Sequence, residues 1–410
     1  MVDIQSFTIS IPEKQLEDLK LRLSLARFPD EVDDAEWEYG APLADIKRLT
    51  RYWKEQYDWG AAQKRLNDTF VQFTTPITVE GFDPLKVHFI HQKSQVTHAI
   101  PLLFVHGWPG SFIEAVKIVK ELSSPSDPKA PAFHVIAPSL PNFGFSEAPK
   151  KKGFAVAQYA EIVHKLMLKL GYTEYVTQAG DWGFHITRTL SLHYPQHCKA
   201  IHVNMDEGTR PKFTSNPLLA LEYAITPFTE RETKGRERTE WMIRESSGYR
   251  AQQSTKPQTL GYSLADSPVG LLAWIYEKIC EWSDKYPWAE DEVCTWMSIY
   301  WFSTAGPAAS LRIYYEEVHR WDDPARRVTR DRTRQYIGGV KLGLTHSPAE
   351  VRVYPSTWTR TQGDVVFERF YDSGGHFFAY EKPQHLIADV RDMYGRGGGA
   401  AGVVTGKNGY

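Results

Sequence analysis

At 410 residues, with 48 basic against 50 acidic side chains and a formal charge of −2, the chain is longer than one average domain and carries no excess of either sign. Its charges are well mixed, with no basic stripe, which excludes a nucleic-acid surface built on phosphate neutralisation. Cys198, Cys280 and Cys294 are odd in number and form no CxxC or Cys/His pattern. That excludes a disulfide framework and a structural zinc site, and makes a reducing compartment the default.

The N-terminus has no basic segment leading into an apolar one, and no apolar run reaches the roughly eighteen residues that a membrane span needs. The expectation is a soluble, cytoplasmic protein. From residue 7, Phe7-Thr8-Ile9-Ser10-Ile11 alternates as a strand does. Pro12 then opens a helix with Leu16, Leu19, Leu23 and Phe28 on one face. Residues 40 to 70 read as a second helical stretch packed through Tyr52, Trp53, Tyr57 and Trp59. A pair of strands around the Glu80-Gly81-Phe82-Asp83 turn follows.

Pro101-Leu102-Leu103-Phe104-Val105 is a short apolar run, read as a buried strand, and it ends in His106-Gly107-Trp108-Pro109-Gly110. Another buried strand is expected at 135–140 and an amphipathic helix at Gln158 to Leu170. The strand Tyr175-Val176-Thr177-Gln178 then feeds the most informative stretch of the chain, Ala179-Gly180-Asp181-Trp182-Gly183. This has the spacing of a nucleophile elbow, in which a strand turns sharply into a helix and the residues two before and two after the tip must be small. An aspartate at the tip points to an alkyl-ester intermediate, formed by opening an epoxide or displacing a halide, rather than to serine-type acyl transfer. In the α/β-hydrolase arrangement the oxyanion N–H groups would come from Trp108 and Trp182.

After Asn204 the strand–helix alternation stops, and the chain turns helical and rich in aromatic residues until about Arg330. A strand at Tyr336–Val340 is followed by Glu350, the favoured triad acid. Its competitor is Asp364, in a turn read as a hairpin before the strand Val365–Phe367. His376, after two glycines, is the histidine that the order nucleophile, acid, base requires. Arg396-Gly397-Gly398-Gly399 opens a glycine-rich tail without core pattern, expected to be disordered or a processed end.

With these parts in order, the chain resembles the microsomal-type epoxide hydrolases, a family with soluble fungal members. The resemblance runs from Phe7 to about Tyr394. It rests on Leu23-Ser24-Leu25-Ala26-Arg27-Phe28-Pro29-Asp30, His106-Gly107-Trp108-Pro109-Gly110, Gly180-Asp181-Trp182-Gly183, Gln253-Ser254-Thr255-Lys256-Pro257 and Gly374-Gly375-His376-Phe377. One departure is Ala179, where relatives often carry glycine. The resemblance implies an α/β-hydrolase core sheet with a helical lid and an N-terminal meander. It divides the chain into a meander (1–75), a first core half (76–206), a lid (207–330), a second core half (331–395) and the tail (396–410).

It further implies two lid tyrosines that activate the epoxide: Tyr249, just before the Ser-Thr-Lys-Pro segment, and Tyr314, with Tyr315 as the fallback. An epoxide and water would be the only partners, a homodimer is compatible with the family, and neither metal nor cofactor has a step to perform. A haloalkane dehalogenase with the same aspartate is the alternative enzyme, and a non-catalytic ligand-binding hydrolase fold the alternative class. The lid tyrosines separate the first, because an epoxide hydrolase needs them whereas a dehalogenase needs halide-binding N–H donors instead; the parts present in chain order separate the second, whose triad would be broken.

Overall fold

The structure is a computed structural model that describes residues 3–319 and 328–410. Residues 320–327 of the expected lid lie outside the described residues. Nine strands form one sheet: β1 (Gln5–Ser6), β2 (Gln72–Ile77), β3 (Leu85–Gln92), β4 (Ile100–Val105), β5 (Phe133–Pro138), β6 (Tyr175–Ala179), β7 (Cys198–Val203), β8 (Ile337–His346) and β9 (Gly363–Phe370), in the order β1-β2-β3-β5-β4-β6-β7-β8-β9. The segment from β5 to β9 is parallel throughout, and β1 to β3 add an antiparallel edge. Continuous apolar runs such as 100–105 suit the middle of that segment, because helices cover a parallel sheet on both faces. Every residue of β4 and of β6 is buried.

Seven helices between Pro217 and Val318 interrupt the sheet after β7. The N-terminal helices, Glu13–Ser24, Leu43–Glu55 and Trp59–Thr69, brace these lid helices. Trp53 Nε1 donates to Ser298 Oγ at 3.1 Å, Tyr57 Oη to Thr295 Oγ1 at 3.0 Å, and Arg22 pairs with Asp266 at 2.8 Å. Asp58 breaks the expected helical stretch in two by accepting from Ala61 N at 3.0 Å, as an N-cap does.

Three expectations are corrected. Residues 7–11 alternate in burial but are not a strand. Side chains of the helix Trp59–Thr69 take the backbone donors that a ladder would use: Ile9 N bonds Asn67 Oδ1 and Ile11 N bonds Gln63 Oε1, both at 2.9 Å. The turn before β9 is no hairpin, since β8 and β9 run parallel and a helical crossover joins them. The tail is ordered and packed. Ala400 and Val404 are buried, Ala132 N donates to Gly409 O, and Gly409 N donates to His98 O, both at 2.8 Å. Glycines that leave backbone donors and acceptors bare let the tail bond to the chain ahead of β4 and β5 without a core pattern of its own.

Arg188, on the helix Trp182–His193, joins the two halves of the core. Fully buried, it donates to the carbonyls of Thr333, Gln335 and Gln362 at 3.0, 2.7 and 2.6 Å. Arg188→Met removes the donors and leaves three carbonyls unpaired, so it should lower unfolding stability by roughly 3–5 kcal/mol. Guanidinium unfolding of the variant checks this, and an unchanged midpoint would exclude the tie.

Candidate active site

Trp108, Asp181, Glu350 and His376 lie beyond the C-terminal ends of β4, β6, β8 and β9 in the parallel segment, where open α/β sheets place their ligands. Asp181 follows β6 with φ 49° and ψ −128°, a strained conformation for a residue with a side chain. Small neighbours permit it. A Cβ on Gly183 would lie 2.1 Å from Val105 O, and one on Gly107 would lie 2.0 Å from Asp181 Oδ1. The Asp181 carboxylate accepts from Trp108 N at 2.6 Å and also from Trp182 N. Burial raises its pKa, while His376 and these two N–H groups hold it down.

His376 sits after β9 with Nε2 3.6 Å from Asp181 Oδ2, and its Nδ1 is 2.5 Å from Glu350 Oε1. Burial alone would lower the imidazole pKa. The Glu350 charge and hydrogen bond outweigh it and, with Asp181, push it up to about 9. Glu350 follows β8 and is fixed from the lid, where Arg238 donates to the Glu350 and Ala349 carbonyls at 2.7 Å each. Asp364 is not brought into the site. It stands at the opposite, N-terminal end of β9 and accepts from Tyr336 Oη at 2.6 Å.

From the lid, Tyr249 (helix Gly248–Thr255) stacks on Trp108 at 5.2 Å, and Tyr314 (helix Arg312–Val318) meets Trp182 edge-on at 4.8 Å. The two phenol rings meet edge-on, with centroids 5.8 Å apart. Burial, and then the Asp181 charge for Tyr249 and the Tyr249 and Asp181 charges for Tyr314, raise both phenol pKa values, so both are protonated donors. Tyr315 stacks instead on His319 at 3.8 Å, which separates it from Tyr314.

Two cavities meet at Asp181. One is lined by Tyr249, Tyr314, Trp182, Arg250, Arg330 and Arg352, the other by His376, Glu114, Gln178, Asn204 and Trp108; among the described residues Asp181 alone lines both. Sequence reasoning missed two groups here. Glu114 carried a signal, being a carboxylate four residues beyond Gly110. The buried Glu207, ion-paired with Arg330 and 3.4 Å from Arg352, carried none, because residues over a hundred positions apart meet only in the fold.

Two family signatures match the chain, "Epoxide hydrolase N terminus" over residues 4–115 and "alpha/beta hydrolase fold" over residues 100–223. Epoxide hydrolase 1 of Sus scrofa is 33% identical over 96% of this chain and 88% of its own length. Among solved structures, that of Aspergillus niger epoxide hydrolase matches with a TM-score of 0.81 at 31% identity, covering 94% of both chains. The juvenile hormone epoxide hydrolase of Bombyx mori gives 0.82 at 28% identity, covering 94% of this chain and 93% of the other. With an elbow aspartate, a histidine–glutamate pair and two lid phenols around it, and likeness running over nearly its whole length, this chain belongs to the epoxide hydrolases, enzymes of the α/β-hydrolase fold.

Proposed function

We propose that the enzyme opens an epoxide to a vicinal diol in two steps, through a covalent hydroxyalkyl ester on Asp181. One observation carries this reading: Asp181 lies between a cavity lined by two protonated phenols and a second one lined by the histidine. Tyr249 and Tyr314 donate to the ring oxygen, whose departure as an alkoxide is the main barrier at neutral pH. The free carboxylate oxygen of Asp181 attacks the ring carbon, the carbon–oxygen bond breaks, and a phenol proton passes to the new hydroxyl. Holding the carboxylate in line removes much of the entropic barrier.

In the second step His376, oriented by Glu350, takes a proton from water as that water attacks Cγ of Asp181. The Trp108 and Trp182 N–H groups already bond the carboxylate, so they are placed to hold the oxyanion of the tetrahedral intermediate. Collapse breaks the ester bond, the diol oxygen takes the proton from His376, and the proton released with the restored carboxylate returns to the phenolate. The phenols favour this reading over halide displacement, because a leaving alkoxide must take up a proton and a leaving halide need not.

Tyr249→Phe and Tyr314→Phe should each slow ester formation by roughly 10- to 100-fold in single-turnover kinetics, with some turnover left through the remaining phenol. A double variant as fast as wild type would remove the phenols from the mechanism. His376→Gln should stop after the first step, and mass spectrometry of the variant mixed with styrene oxide should show protein plus one epoxide. Prompt diol release from that variant would count against His376 as the base.

The Glu350 carboxylate raises the His376 pKa, so Glu350→Gln should bring it down from about 9. An imidazole NMR titration reads that shift directly. A group raised on folding stabilises fully below its unfolded value of about 6.5 and loses that contribution as pH climbs through the folded one. The His376 share of stability should therefore fade toward pH 9 in the wild type and be smaller in the variant.

A further inference from the structure

The loop His106–Gly110 makes room for two carboxyl groups. A Cβ on Gly107 would collide with Asp181 Oδ1 at 2.0 Å, and one on Gly110 with Glu114 Oε1 at 1.6 Å. The lid pins that loop in place, with Trp296 Nε1 donating to Pro109 O at 2.6 Å and Tyr300 Oη to Gly110 O at 2.7 Å. Glu114 stands on the 3-10 turn Phe112–Lys117, where its carboxyl accepts from Ser111 N, and it has no ion-pair partner among the described residues. It lines the cavity that holds His376 and Asp181, on the side away from the phenols.

We propose that Glu114 is a positioning residue for product release: it accepts the second hydrogen of the water that attacks the Asp181 ester. This rests on the two-step reading above. Such a water needs three things at once: a base for one hydrogen, a lone pair aimed at Cγ of Asp181, and an acceptor for its other hydrogen. His376 Nε2 supplies the first. The carbonyl oxygen of the Glu114 carboxyl supplies the last, which fixes the direction of the lone pair. Water oxygen bonds to Cγ and its proton moves to Nε2, while Glu114 keeps its own proton throughout.

The charge state suits this role. Burial raises the Glu114 pKa to about 8, with His376 opposing and Asp181 adding to the rise. A neutral carboxyl puts no third charge beside the oxyanion forming at Trp108 and Trp182, whereas an ionised one would oppose it. On its own turn and the elements packed around it, Lys117 pairs with Glu292 at 3.2 Å, Glu121 with Arg391 at 2.9 Å, His134 Nδ1 accepts from Ser94 N at 3.1 Å, and Lys120 is exposed. Tyr300 bonds the loop, Tyr380 donates to Glu292 at 2.9 Å, and Glu381 accepts from Asp284 N and Phe377 N at 2.8 and 3.1 Å.

The test separates the two half-reactions by transient tryptophan fluorescence with styrene oxide, in wild type, Glu114→Leu and Glu114→Gln. Glu114→Leu should slow ester hydrolysis by roughly 10- to 100-fold while ester formation changes by less than about threefold, so that ester accumulates. Glutamine, which still accepts through its carbonyl, should recover most of that loss at neutral pH. Loss of the Glu114 proton should depress wild-type hydrolysis as pH rises through about 8, opposite in sign to the gain from deprotonating His376, and this decline should be absent in Glu114→Gln. Hydrolysis unaffected in Glu114→Leu, or both steps slowed alike, overturns the inference. If the leucine variant does not fold, a Glu114→Gln profile that keeps the wild-type decline overturns it. A wild-type enzyme that forms no ester overturns the two-step reading and this inference with it; normal ester formation with unaltered hydrolysis overturns this inference alone.

Discussion

A part-buried carboxylate bonded by two backbone N–H groups sets the geometry of the rest of this molecule. Moving the Asp181 charge out of water is costly, and the cost is offset only if donors are already aimed at it. Trp108 and Trp182 supply those donors from just beyond the ends of β4 and β6. The strained elbow, the close packing of Gly183 on Val105 and the hollow at Gly107 all serve to bring three backbone segments to one point. Opposing effects are balanced there rather than maximised. Burial pushes the Asp181 pKa up, and the same burial strengthens the hydrogen bonds and the His376 charge that push it down.

The lid is held to that point from both sides. Trp296 and Tyr300 reach from the lid helix Glu290–Trp301 to the carbonyls of Pro109 and Gly110, and Arg238 reaches from another lid helix to the loop of Glu350. The N-terminal segment closes the arrangement from outside, because Trp53 and Tyr57 bond the same lid helix that holds the loop His106–Gly110. Among the described residues the meander contributes none to either cavity, and it thus acts on the site through the position of the lid. On the proposed mechanism this matters chemically, since the phenols must meet the leaving oxygen while the carboxylate meets the carbon. A shift of about 1 Å in such an alignment is enough to cost much of the rate.

The two cavities divide the chemistry in space. Phenols and arginines face one side of Asp181, and the His376 imidazole and the Glu114 carboxyl face the other. On the proposed reading, an alkoxide leaves on the first side and water arrives on the second, so the base need not stand among groups that must stay protonated. Arg330 lies 5.5 Å from the Trp182 ring, and its charge eases proton donation from both phenols, against the burial and the Asp181 charge that raise their pKa values.

Much of this was legible in the chain itself, and for local reasons. Small residues on either side of Asp181, an apolar run ending in His106-Gly107-Trp108-Pro109-Gly110 and a histidine after two glycines are patterns that backbone sterics and strand chemistry impose on contiguous residues. Such constraints can be read wherever they fall within a few positions, and the choice of Glu350 over Asp364 needed only the rule that the acid follows its strand. Interactions between distant segments left no such trace. The alternation at 7–11 looked like a strand because sequence shows burial but not whether Asn67 and Gln63 will take the backbone donors. The tail looked structureless because glycines bury little, yet their bare backbone bonds the chain on either side of β4. Sequence alone picked out Asp181 and the order of the parts around it. Which carboxylates face that aspartate, which tyrosine of an adjacent pair turns inward and what braces the lid were decided by the tertiary structure, because each depends on where segments far apart in the chain come to rest.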